Sequence, residues 1–152
     1  MTTGSRRFLP GVTLILGLVL GGCASGPKYS EMKSSIPQLA PDAGRVFFYR
    51  TSMYGAAYSP EVRLNGTLVG SATSKGFFFV DRKPGSYKVA VGSQENAADF
   101  ALNAGQTLYI RTSIAGFFPV IAGVATLIDE STARAEISDL SYTGDLPPPG
   151  PK

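Results

Sequence analysis

The only thiol in the chain is Cys23, and it directly follows Leu20-Gly21-Gly22. A cysteine thiolate is a nucleophile, and small side chains before it let a protease close on the backbone just ahead of the modified residue. Leu, two small residues and Cys is therefore the pattern of a site that takes up a diacylglyceryl group and is then cut before the cysteine. Gly22-Cys23-Ala24 also fits an ordinary small-x-small cleavage that would discard the thiol. Lipidation of Cys23 is the expectation adopted here.

Little other chemistry is on offer. The chain has no histidine, which removes the commonest general base and a principal transition-metal ligand. Asp81, Asp99 and Asp129 fall at strand ends or outward positions, where solvation or turn capping accounts for them. No glycine-rich phosphate loop opens a helix. The expectation is a protein that is not an enzyme, with no catalytic residues, no cofactor and no metal.

Three features invite a binding reading, and each has a plainer one beside it. Arg45 and Arg50 bracket the first strand, as an anion site or as strand-end guanidiniums that reach water or pair with an acid. Tyr54 and Tyr58 lie in a loop of small residues, as rings for a sugar or protein partner, or as covers over the end of the core. The segment from Gly116 to Gly123 contains Phe117 and Phe118 and is apolar where a loop should be polar. It reads as a folded-back buried hairpin, or as an exposed patch or membrane-dipping finger. Tyr54, Tyr58, Phe117 and Phe118 form the candidate interaction surface.

The elements that must position these residues begin after an export signal. Arg6 and Arg7 precede an apolar run from Phe8 to Leu20. At about 13 residues it is short of the roughly 20 that span a bilayer as a helix. Residues 1–22 are thus a lipoprotein-type signal peptide, and 23–43 the lipidated cysteine with a flexible tether holding at most one helical turn around Tyr29 to Lys33. Residues 44–141 form the folded domain, and 142–152 a disordered proline-rich tail. Acyl chains contribute about 0.8 kcal/mol per buried methylene, so several make attachment lasting. Ser25, the residue after Cys23's neighbour, is not the Asp that in enteric-type bacteria retains lipoproteins in the inner membrane, so the outer membrane, facing the periplasm, is the expected location.

Apolar runs separated by turn residues every 8 to 12 or so positions indicate an all-β domain. The expectation is an antiparallel β-sandwich of seven to eight strands with one short C-terminal α-helix. In the first strand Val46, Phe48 and Arg50 share one face, with Phe47 and Tyr49 on the other. Asn65-Gly66 suits a type I′ hairpin, and Pro84-Gly85 a turn in which Gly accepts positive φ. Val120 to Ile128 reads as the last strand. Asp129 or Ser131 then caps a helix whose Ala133, Ile137 and Leu140 share a face, to close an edge or end of the sandwich.

Of 14 basic residues against 11 acidic, two leave with the signal, so the mature chain is nearly neutral. Without a Lys/Arg run, nucleic acid is excluded as an expected partner. The expected partners are the membrane, through lipid on Cys23, and an envelope protein or a glycan. With no second cysteine, stability must come from packing rather than an internal disulfide.

The order Gly44-Arg45-Val46-Phe47-Phe48-Tyr49-Arg50, Ser59-Pro60-Glu61-Val62, Leu64-Asn65-Gly66, Val69-Gly70, Gly76-Phe77-Phe78 and Val80 through Pro84-Gly85-Ser86-Tyr87 to Val89 resembles a bacterial lipoprotein domain, domain of unknown function 2846. Tyr29-Ser30-Glu31-Met32-Lys33-Ser34-Ser35-Ile36-Pro37 resembles the leader of such proteins. The resemblance covers about residues 29–141. It implies an envelope-located β-sandwich and carries over no catalytic or ligand residue. The apolar stretch from Gly116 to Gly123 is the main departure. Taken together, the expected function is a lipid-anchored envelope lipoprotein with a structural or protein-interaction module. The alternative is a glycan or small-ligand module using the loop aromatics.

Overall fold

The computed structural model describes residues 24–117 and 119–144. The expected signal peptide, Cys23, Phe118 and the segment 145–152 lie outside the described residues. The strands are β1 (Gly44–Tyr49), β2 (Glu61–Leu64), β3 (Thr67–Ser71), β4 (Gly76–Arg82), β5 (Gly85–Val91), β6 (Ser93–Leu102), β7 (Thr107–Phe117), β8 (Val120–Ile128) and β9 (Ser141–Tyr142). Two short helices accompany them, α1 (Tyr29–Met32) and α2 (Glu130–Ile137).

The strands form a five-stranded sheet, in the order β8-β7-β1-β4-β9, and a four-stranded one, in the order β3-β2-β5-β6. The larger sheet is mixed, because β1 runs parallel to β7 and β4 parallel to β9. This corrects the expectation of a purely antiparallel sandwich of seven to eight strands with one helix: the described residues form nine strands and two short helices. Parallel neighbours need a long connection between them, and β1 and β7 are separated by the whole of the smaller sheet. No local pattern in either strand announces that pairing.

β1 is buried at every position, which a strand with one wet face would not be. Phe48 stacks on Phe78 at 5.0 Å between ring centroids, facing the smaller sheet, where Gly70 of β3 lies against the Phe78 ring. Phe47 stacks on Tyr109 at 5.2 Å and meets Tyr29 of α1 edge-on at 5.9 Å. The larger sheet is therefore covered on both faces, by the smaller sheet and by the helices. α2 lies on its outer face rather than closing an edge: the Tyr49 hydroxyl donates to Glu136, and Ala133, Ile137 and Leu140 join the core.

Several local expectations fit. Asn65 and Gly66 have φ of 48° and 80°, the left-handed pair that a type I′ turn requires, and β2 and β3 flank them. Asp129 is the α2 cap, its side chain accepting from the Thr132 amide. Pro84-Gly85 differs: Gly85 lies outside the left-handed region and already pairs with Leu102 as the first residue of β5. The turn carries the chain from the larger sheet to the smaller one instead of joining two paired strands.

Both ends of the domain reach further than expected. Met32 is buried, the Tyr29 amide donates to the Leu140 carbonyl at 2.9 Å, and the Tyr142 amide to the Pro27 carbonyl at 2.8 Å. Residues 27–36, inside the stretch assigned to a flexible tether, thus lie against the domain. Tyr142, assigned to the tail, is buried in β9 beside Phe77.

Candidate interaction surface

The loop from Thr51 to Pro60 is organised from below by Arg50, which is 0% exposed. Its Nη1 donates to the carbonyls of Tyr58 at 2.8 Å and Ala72 at 3.0 Å, and its Nη2 to the carbonyl of Tyr54. Nε has no partner among the described residues. Burial pushes the Arg50 pKa down, yet a guanidinium starts so high that it stays charged at neutral pH. Its planar fork and weak hydration suit it to this position better than an ammonium. The charge is met by carbonyl dipoles, so Arg50 is neither an anion site nor a solvent-reaching strand end.

Arg45 follows the plainer reading. Its Nε and Nη2 clasp the Asp81 carboxylate at 2.6 and 2.7 Å, and its guanidinium sits 4.7 Å from the centre of the Phe79 ring. Asp99 lies 3.9 Å from the exposed Lys88 ammonium. The Asp129 carboxyl is held down at about 2 by hydrogen bonds from Ser131 and Thr132.

Above Arg50 the loop meets the β7–β8 hairpin. The Tyr54 hydroxyl donates to the Gly116 carbonyl at 2.6 Å, and its ring meets Phe117 edge-on at 6.5 Å. Phe117 pairs with Val120 at the tip, and the two are 81% and 77% exposed. Met53 and Ile121 are also exposed. The hairpin is thus an exposed tip rather than a buried fold-back. Its root is fixed where Gly123 of β8 crosses the end of β5: a Cβ at Gly123 would run into the Val91 carbonyl.

Of the four candidate residues, Tyr54 and Phe117 are in direct contact. Tyr58 is exposed on the same loop, its hydroxyl turned toward Gly92, and Phe118 is outside the described residues. Residues 51–60 and 112–128 contain no charged side chain and no side-chain amide. Met53, Val120 and Ile121 extend the surface beyond the aromatics. The exposure of Val120 and Ile121 depends on how far the hairpin projects past β1, which hydropathy does not encode.

The opposite face of the larger sheet carries a polar network that the sequence does not announce. Glu136 of α2 accepts from the Tyr49 hydroxyl and from Arg111, both at 2.7 Å. Burial and the Glu136 carboxylate push the Tyr49 pKa far up, and burial raises that of Tyr109 to about 12. Beside these helices is an open groove of about 510 Å³ lined by Tyr29, Phe47, Tyr109, Arg45 and Arg134, among others. Both of its guanidiniums are already paired, Arg45 with Asp81 and Arg134 with Glu130. Among the described residues no group of three or more Asp, Glu, His or Cys is placed to hold a metal, and no helix is long and apolar enough to cross a membrane.

No curated protein and no solved structure matches the chain. The model of a family described as protein of unknown function, DUF2846, matches residues 40–125. That span takes in β1 through β7, the whole loop above Arg50 and the hairpin tip. With more than half of its length inside the match, the chain belongs to the DUF2846 family.

Proposed function

We propose that the protein is a lipid-anchored module of the cell envelope, held at the outer membrane through acylated Cys23 with its domain on the periplasmic side. It works by contact rather than catalysis, as a structural or protein-interaction domain. The observation that carries this reading is the exposed surface of Met53, Tyr54, Phe117, Val120 and Ile121. Apolar side chains gathered at one place on a surface mark interaction sites, and this surface is locked from below by Arg50.

Glycan recognition through Tyr54 and Tyr58 is the second reading. A ligand site of that kind needs polar groups converging beside the rings. The two segments here offer hydroxyls only, and the Tyr54 hydroxyl is already engaged by Gly116. Contact with an apolar surface therefore stands ahead of it.

The anchor is tested by labelling cells with radioactive palmitate. Label and membrane association are expected in the wild type and absent from Cys23→Ala; label that persists in the variant contradicts the assignment. The surface is tested by Phe117→Ser. An exposed site should change stability by less than about 0.5 kcal/mol, while envelope association beyond that given by the acyl group falls. Unfolding of that variant would instead make Phe117 part of the core.

A further inference from the structure

We infer that the apolar end of the domain rests on the lipid bilayer, with Met53, Tyr54, Phe117 and Val120 at the level of the headgroups and the first acyl carbons. The inference rests on the acylation of Cys23 and adds to it an orientation. The Ala24 amide donates to the Ser74 carbonyl at 3.4 Å. Ser74 is itself buried, and its hydroxyl donates to the Ser52 carbonyl at 2.9 Å and contacts the Met53 sulfur at 3.4 Å. Met53 precedes Tyr54, which touches Phe117. The residue next to the acylated cysteine therefore sits at the same end of the domain as the exposed apolar side chains.

Only one peptide unit, about 3.8 Å between Cα atoms, separates Ala24 from Cys23. With residues 27–36 packed against the domain, the acyl chains leave from this end directly and not through a long free tether. The end that meets the headgroups then carries loop 51–60 and the β7–β8 tip, neither of which has a charged side chain to desolvate. Tyrosines with an apolar body and a polar tip are the residues that favour a membrane interface. These four side chains alone fall short of the roughly 1,200–2,000 Å² that a stable protein interface buries, so a protein contact made here alone would be a transient one. Beside a lipid anchor they need only fix an orientation.

The chain has no tryptophan, so a single introduced indole reports on its own position. Full acylated protein carrying Phe117→Trp is inserted into vesicles of phosphatidylethanolamine and phosphatidylglycerol, with and without bromine on the acyl chains. Leu127→Trp, exposed far along β8 from the tip, is the control. The expected result is bromine quenching of the Phe117→Trp emission at least twofold, with that of Leu127→Trp nearly unchanged. Vesicle-bound protein with both indoles unquenched, or equally quenched, overturns the orientation and leaves the anchor standing. Emission shifted to the blue without bromine quenching means that protein covers the tip and also overturns it. Protein that lacks the acyl mass and stays off the vesicles overturns the anchor, and the orientation with it.

Discussion

The Arg50 guanidinium donates to the Tyr58 carbonyl at 2.8 Å from a position with no exposure to water. Two further carbonyls, of Tyr54 and Ala72, accept from its terminal nitrogens, while Nε has no partner among the described residues. One buried cation thus ties down two points, Tyr54 and Tyr58, of a loop that is uncharged and largely exposed. Without it, that loop buries little beyond Pro60 with which to hold its shape.

Replacing Arg50 by Met keeps the bulk and removes the donors. A buried carbonyl left unpaired costs about 1–3 kcal/mol, and of the three the bond to Ala72 is the wholly buried one, so a loss of at least about 1 kcal/mol is expected in urea unfolding. Protease cutting between residues 51 and 60 should accelerate by more than the global loss explains. Arg50→Lys supplies a shorter, rounder donor set and should recover part of the stability. Equal stability of all three proteins would show that the loop holds itself.

Gly123→Ala tests the crossing of β8 over β5. The added methyl meets the Val91 carbonyl, a backbone atom that cannot swing away. Overpacking of this kind costs about 1–3 kcal/mol. Hydrogen exchange should quicken in β8 and at the end of β5 while the β2–β3 hairpin is unaffected.

The Asp129 cap gives a prediction with a defined pH window. Its folded pKa, about 2, lies below the ordinary carboxylate value of about 3.9. The unfolded state therefore binds the proton more readily between those values, and stability rises with pH through that window. The cap's contribution is in place above about pH 4 and is lost as pH falls through about 2. Asp129→Ala should lower the thermal midpoint at pH 7, and the gap to wild type should close in strong acid.

At the alkaline end the sign is reversed. Tyr109, with a pKa of about 12, and Tyr49, raised still further by burial and by Glu136, keep their protons in the folded state beyond the usual phenol value of about 10. The folded state then holds more protons than the unfolded one, so stability falls as pH rises above about 10. Phenolate absorbance should show Tyr49 and Tyr109 ionising late, with unfolding. Tyr49→Phe should delete one of those two.

Residues whose geometry is decided by near neighbours were legible in the sequence. Asn65-Gly66 allows few turns, and Asp129 precedes a helix whose Ala133 and Ile137 share a buried face, with Leu140 buried just beyond its end; Tyr54 and Phe117 stood out as candidates, but their exposure, against a core cover and a buried fold-back, did not. What was not legible depends on residues far apart. The parallel pairing of β1 with β7 joins segments separated by the smaller sheet. The placing of α2 on an outer face follows from β1 being covered on both sides. Arg50 misled because its partners are main-chain carbonyls, which no residue type announces. The short segment Ser141-Tyr142 has too few residues to show a period at all.

The most direct test of the membrane-facing end is photo-crosslinking in living cells from a diazirine side chain at position 117, with position 127 as the control. Adducts of lipid mass on the peptide containing residue 117, and none on the peptide containing residue 127, are the predicted result. A discrete protein adduct at 117 without lipid, or the same lipid yield at both positions, would contradict it.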